Sequence, residues 1–150
     1  MSTEKAIVIR DLDLPSDGAS LQRVWREIGW SDSNRTDRMM LEFYSEGSTG
    51  VGTIDDEVEC AVLTQPGTMR LDTNDLPLCV VSAVTTSRIA RGLSLAQKLT
   101  ARQLAKGQQD GAAVATLGMF DQGFYNKLGF GTGAYINAVS YTHLTLPTKA

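Results

Sequence analysis

Apolar positions along the chain follow two periods, and the switches between them outline its elements. "AIVIRDL" (6–12) is short and β-branched and predicts a first strand. "LPSDG" supplies turn chemistry, with Ser16 or Asp17 as the expected cap of the next helix. In "ASLQRVWREIGW", Leu21, Val24, Trp25 and Ile28 recur at i, i+3, i+4 and i+7, the spacing of one helical face. Trp25 is expected in the core, and so is Trp30, in preference to the lip of a pocket. "SDSNRTDRMMLEFYSEG" predicts a loop and a short second helix with Met39, Met40, Phe43 and Tyr44 on its apolar side. "TGVGTIDDEVECAVLTQPGTMRL" predicts two strands joined at "DDE", a hairpin. "LPLCVVSAVTT" is a nearly continuous apolar run, as suits a strand buried on both faces.

The second half continues the alternation of types. "GLSLAQKLTARQLAKG" is rich in helix formers. Lys98, Arg102 and Lys106 form one basic stripe, a solvated face on the plainest reading, with Leu93, Ala96 and Leu104 roughly opposite. "AAVATLG" predicts a short buried strand, "QGFYNKLGFG" a short helix ending at glycine, and "FGTGAYINA" a last strand. The predicted order is β-α-α-β-β-β-α-β-α-β, a mixed sheet with helices on both faces.

Composition narrows the class. The 150 residues suit one domain, and 42% hydrophobic with 21% charged content is ordinary for a soluble chain. A net charge of −3 gives no reason to invoke nucleic acid or an anionic membrane. No apolar run approaches the roughly 20 residues of a membrane span, and "MSTEKAIVIRDL" lacks a secretory core, so a cytoplasmic location is expected. Cys60 and Cys79 lie in separate strand-like runs without metal-site spacing and read as buried, reduced thiols.

The end of the chain reads differently. The nucleotides GTC TCT TAT ACA CAT CTG ACG CTG CCG ACG translate to VSYTHLTLPT, the sequence from Val139 to Thr148, and resemble a transposase adapter of sequencing libraries. The natural domain is therefore expected to span residues 1–138, with an adapter-derived tail over 139–150 and a parent chain that continues beyond about Ala138. His143, the one histidine, falls in that tail.

One junction points to chemistry. "SRIARGLS" (87–94) joins a predicted strand to a predicted helix. The first turn of a helix has N–H groups without intrahelical partners, and with the helix dipole these make an anion site. A helix beginning near Gly92 would place such groups here, Gly92 would let a ligand approach closely, and Arg88 and Arg91 suit phosphate. Taken alone, the segment fits a phosphate-bearing ligand and a solvated helix start equally well.

The order of elements and two motifs resemble the GCN5-related N-acetyltransferase (GNAT) superfamily, over residues 5–135. That family carries Q/R-x-x-G-x-G/A between its fourth strand and the next helix. Here the aligned residues are Ile89, Ala90, Arg91, Gly92, Leu93 and Ser94, with Ile89 and Ser94 departing from the pattern and Arg88 one position early. "GFYNKLGFG" (123–131) resembles the family's Y-x-K-x-G-F segment. "VVSAVTTSRIARGLS" with "GMFDQGFYNKLGFGTG" resembles the enhanced intracellular survival (Eis) branch, whose members continue into further modules.

The resemblance implies a fold in which parallel fourth and fifth strands splay around acetyl-CoA. It implies transfer of an acetyl group to a primary amine of a small molecule or a lysine. The diphosphate would lie on Arg88 to Ser94, and Val81, Ser82, Ala83 and Val84 would supply backbone amides to the thioester carbonyl. Tyr125 maps to the residue that protonates the departing thiolate; a phenol of pKa about 10 can protonate a thiolate whose conjugate acid has a pKa of about 8.5. No base is selected among Glu42, Glu59 and Asp121, and in the Eis-type branch a terminal carboxylate is implicated. No metal is implied, and a homo-oligomer of the longer parent is compatible. The alternative is a degenerate or fragmentary acyl-CoA-binding module without turnover.

Overall fold

The computed structural model describes residues 6–119 and 123–133. Its elements are β1 (Ile7–Asp11), α1 (Leu14–Glu27), α2 (Asn34–Ser45), β2 (Ser48–Ile54), β3 (Glu57–Leu71), β4 (Asn74–Thr86), α3 (Leu95–Gln109) and β5 (Val114–Leu117). The strands form one sheet in the order β1-β2-β3-β4-β5. The first four pair antiparallel, and β5 joins β4 in parallel. The mixed α/β architecture with its parallel β4–β5 pair is the expected one. The last predicted helix is a single 3-10 turn, Tyr125–Leu128. The 139–150 tail, His143 and most of the last predicted strand lie outside the described residues; residues 130–133 carry no strand.

Alternation along β3, shifted once by a bulge at Glu59, sorts two cores. Val58, Ala61 and Leu63 pack with Leu21 of α1 and with Met40 and Tyr44 of α2. Cys60 and Val62 pack with Leu95 and Leu99 of α3 on the opposite face. The β2–β3 hairpin closes on Asp55 and Asp56, whose φ angles of 52° and 69° are the left-handed ones a two-residue turn needs. Both cysteines are buried free thiols, and burial pushes the Cys60 thiol up to about 11.

Several expectations of detail are corrected. The cap of α1 is Asp13, not Ser16 or Asp17. Pro15 sits in the first turn, where its missing N–H costs nothing. Asp17 instead accepts both terminal nitrogens of Arg10, at 2.6 and 2.7 Å, and the Asp13 N–H at 2.8 Å. Trp30 is 38% exposed rather than core, its ring edge-on to Trp25 at 5.3 Å. Met39 points outward at 57% exposure, because the face of α2 that meets the sheet is Met40 and Tyr44.

The buried face of α3 is Leu95, Leu99 and Gln103 at i, i+4 and i+8. Leu93 precedes the helix and is exposed, while Ala96 and Leu104 flank the core. Gln103 is tolerated inside because its amide donates to the Ser48 carbonyl at 2.8 Å. The basic stripe is not wholly solvated: Arg102 and Lys106 meet Asp11 at 2.9 and 3.6 Å.

The Arg10–Asp17 pair predicts an acid dependence. The hydrogen bond from Arg10 holds the Asp17 carboxyl below its ordinary value. A depressed folded-state value means stability present above the unfolded carboxylate pKa of about 4 and lost as pH falls below it. Arg10 is 36% exposed, so solvent screens the pair and the contribution is modest. Asp17→Asn is expected to cost about 1–2 kcal/mol at neutral pH. In urea melts, the gap from the parent should close towards pH 3, to within about 0.5 kcal/mol. A gap independent of pH would show that the charge contributes nothing.

Candidate functional site

β4 and β5 pair only from Leu78↔Val114 to Val81↔Leu117, whereas β4 runs on to Thr86. β5 ends at Leu117, so among the described residues β4 has no strand partner on that side past Val81. On its other side β4 stays paired to β3 as far as Cys60↔Thr86, with a register break between Ala61 and Leu63. The break falls at Ala83, whose φ is 47°, so Ala83 and Val84 form a β-bulge. A bulge turns backbone groups out of the ladder at the place where β4 loses its β5 partner.

Tyr44 supports this bulge from the α1–α2 face. Its Oη donates to the Ala83 carbonyl at 3.2 Å and lies 3.4 Å from Thr85 Oγ1. Trp25 Nε1 donates to the same oxygen at 3.0 Å. Burial pushes the Tyr44 phenol up to about 12, so it stays a protonated donor at neutral pH. Sequence reasoning placed Tyr44 on an apolar side and missed this role; the available signal was that a buried tyrosine hydroxyl needs a partner.

The strand then feeds the basic junction. Ser87 is fully buried, and Arg88–Ala90 form a 3-10 turn. Residues 91–94 continue as turn, so α3 begins at Leu95 and not near Gly92. Four amides are already engaged: Arg88 donates to Glu27 Oε1 at 2.6 Å, and Ala90, Arg91 and Leu93 donate to the carbonyls of Ser87, Arg88 and Ala90 at 3.3, 3.4 and 3.3 Å. The first intrahelical bond runs from Lys98 to the Ser94 carbonyl, at 3.0 Å. The helix N–H groups without an intrahelical partner are therefore those of Leu95 to Gln97, after Ser94 in a left-handed conformation (φ 57°). Gly92 has φ +82° and open space where a Cβ would stand. Arg88, Ile89, Arg91, Gly92, Leu93 and Ser94 are exposed, whereas the Ala90 side chain is core.

One cluster gathers the parts singled out from the sequence. Val81 of β4, Ala90 of the turn, and Leu95 and Leu99 of α3 are buried together, with Val84, Leu117 and Phe130 packed against them. Phe130 carries the Tyr125 segment to this cluster: its N–H donates to the Tyr125 carbonyl at 3.2 Å, and the two rings meet edge-on at 6.1 Å. Tyr125 is half-buried, with Phe124 edge-on at 4.9 Å.

Of the candidate bases, Glu59 is buried and held by Arg23 at 2.6 Å. Glu42 lies on the exposed side of α2, and Asp121 lies outside the described residues. Two cavities, of about 230 Å³ beside Cys79 and Gly107 and about 270 Å³ beside Asp11 and Lys106, lie elsewhere; neither is lined by residues 81–94 or by Tyr125. The stretch of β4 without a β5 partner, the exposed Arg88 and Arg91 and the space over Gly92 suit an extended ligand with phosphates.

Similar proteins agree with this geometry. The aminoglycoside N-acetyltransferase AAC(6')-Iy, solved in complex with CoA, superimposes with a TM-score of 0.75 at 10% identity, over 95% of this chain and 99% of that one. A Trypanosoma brucei acetyltransferase gives 0.72 at 14% identity, over 91% and 100%. A GCN5-related N-acetyltransferase from Kribbella flavida gives 0.74 at 17% identity, over 83% of this chain and 33% of that one. At these identities the likeness is one of fold. No curated protein sequence matches the chain. The family model described as Acetyltransferase (GNAT) domain matches residues 25–133, which takes in α2, all of β2 to β5 and the Tyr125 turn, and the chain belongs to that acetyltransferase family.

Proposed function

We propose that this GNAT domain moves an acetyl group from acetyl-CoA to a primary amine, on a small molecule or a lysine side chain. The observation that supports the reading is the stretch of β4 after Val81 that has no β5 partner, directly ahead of a basic turn and the start of α3. In this reading the backbone of Val81, Ser82, Ala83 and Val84 lines the acyl arm and presents amides to the thioester oxygen. The turn from Arg88 to Ser94 and the first amides of α3 hold the diphosphate, with Arg88 and Arg91 adding charge. Tyr125 holds the proton that the leaving thiolate takes up. The Eis-type branch and a longer parent chain belong to the same proposal. No described helix is long and apolar enough to cross a membrane, and a cytoplasmic site of action is part of the reading.

Isothermal calorimetry with coenzyme A, followed by thiol release from acetyl-CoA across a panel of amines, tests it. The expected result is saturable binding and amine-dependent release, with a KM for acetyl-CoA between about 1 μM and 1 mM. Absence of binding at millimolar coenzyme A would remove the acyl-transfer reading. Binding without release for any amine would leave an acyl-CoA-binding module.

A further inference from the structure

We propose that Glu27, at the end of α1, is a positioning residue for the diphosphate-binding turn. The inference rests on the function proposed above. The Glu27 Oε1 accepts the backbone N–H of Arg88 at 2.6 Å, across 61 positions of sequence. The same oxygen lies 3.9 Å from Arg88 Nε, and the guanidinium otherwise points outward at 74% exposure. A carboxylate accepting a backbone N–H makes a charge-assisted bond, roughly twice as strong as a neutral one. It acts on the first residue of the 3-10 turn, so it sets the direction in which the chain enters that turn.

The carboxylate is itself held. Arg23, one helical turn earlier, reaches Glu27 Oε2 at 3.6 Å and the buried Glu59 Oε1 at 2.6 Å. Arg23 also donates to the Val58 carbonyl at 3.1 Å. Glu59 in turn accepts the Ser87 N–H on its own backbone carbonyl, at 2.8 Å. The two amides that open the junction, Ser87 and Arg88, are thus fixed by two acidic residues, and one arginine ties those residues together. α1 is thereby coupled to the turn. Glu27 brings negative charge near the place where a diphosphate would lie. Its benefit is therefore geometric, through the acceptor oxygen, and its charge works against the ligand. That opposition separates the two effects experimentally.

Glu27→Gln keeps an acceptor oxygen and removes the charge, whereas Glu27→Ala removes both. Amide hydrogen exchange of Arg88 in the full chain reads the clamp directly, and calorimetry with coenzyme A reads its consequence. The alanine variant is expected to exchange the Arg88 amide faster and to bind coenzyme A about fivefold to tenfold more weakly, the scale of one charge-assisted hydrogen bond. Its KM for acetyl-CoA should rise in step while kcat stays within about twofold, the pattern of lost uniform binding. The glutamine variant keeps an acceptor but loses both the charge assistance and the opposing charge, so its Arg88 exchange should fall between parent and alanine and its affinity should stay within about twofold of the parent. If the alanine variant does not fold, Glu27→Asp, whose carboxylate falls one methylene short, carries the same comparison. An alanine or aspartate variant that binds as tightly as the parent, or tighter, overturns the inference. So does a glutamine variant as weak as alanine. A parent chain that does not bind coenzyme A overturns the functional reading itself and the inference with it.

Discussion

Tyr125→Phe is expected to lower amine-dependent thiol release by about a hundredfold or more, the usual scale for losing a positioned general acid. Coenzyme A should bind with unchanged affinity. The substitution is selective because the ring keeps its neighbours: Phe124 and Phe130 meet it edge-on at 4.9 and 6.1 Å, and neither contact involves the hydroxyl. The turn is held independently by the Asn126 side chain, which donates to the Phe130 carbonyl at 2.9 Å, and by Gly129 at φ 90°. What is lost is the phenolic O–H and the contacts it makes. Steady-state release at saturating acetyl-CoA, set beside calorimetry, reads the two effects separately. Parent-like release would remove Tyr125 from the chemistry. A parallel loss of coenzyme A binding would make it a packing residue.

Leu99→Ala is expected to destabilise the domain by about 3 kcal/mol, the middle of the range for a buried leucine whose cavity does not collapse. For a chain of this length that lowers the melting temperature by roughly 6–12 °C. Leu99 is fully buried among Ile54, Cys60, Val62, Val81 and Leu95. Two glycines of β2 make room for it. A Cβ on Gly50 would stand 3.1 Å from one of its methyls, and one on Gly52 would stand 3.4 Å from the other. β2 is paired to β1 on one side and β3 on the other, so its backbone does not move in to fill the space. α3 starts one residue after the junction turn, so a looser seat for α3 should also weaken coenzyme A binding. Urea and thermal melts decide the first effect. A cost below about 1 kcal/mol would mean that the α3 face is not packed as described.

Local patterns were enough for much of the fold. The 3.6-residue spacing of Leu21, Val24 and Trp25 places α1 on the sheet, and those side chains are buried or packed as expected. The apolar run "VECAVL" marks β3 as a buried strand and the doubled aspartate marks its hairpin, whereas the bulge at Glu59, which puts Val58 on the face of Ala61 and Leu63, was not legible. Such signals are legible because each depends on residues within one or two turns of one another. The exceptions are instructive. Gln103 looks polar and occupies the core because Ser48, far away in sequence, supplies a carbonyl. Met39 and Trp30 look apolar and stay outside because the helices need only one face against the sheet.

By itself the sequence determined the element order, the α/β class, the acetyltransferase family through the segments around Gly92 and Tyr125, and the residues with which a phosphate ligand would be sought. Only the tertiary structure decided that β4 outruns its β5 partner after Val81, that α3 begins at Leu95, that Tyr44 supports the Ala83 bulge and that Glu27 holds the Arg88 amide. The physical reason is range. Periodicity and turn chemistry act between near neighbours, whereas a strand's loss of its partner and a carboxylate's choice of amide depend on groups that folding alone brings within reach.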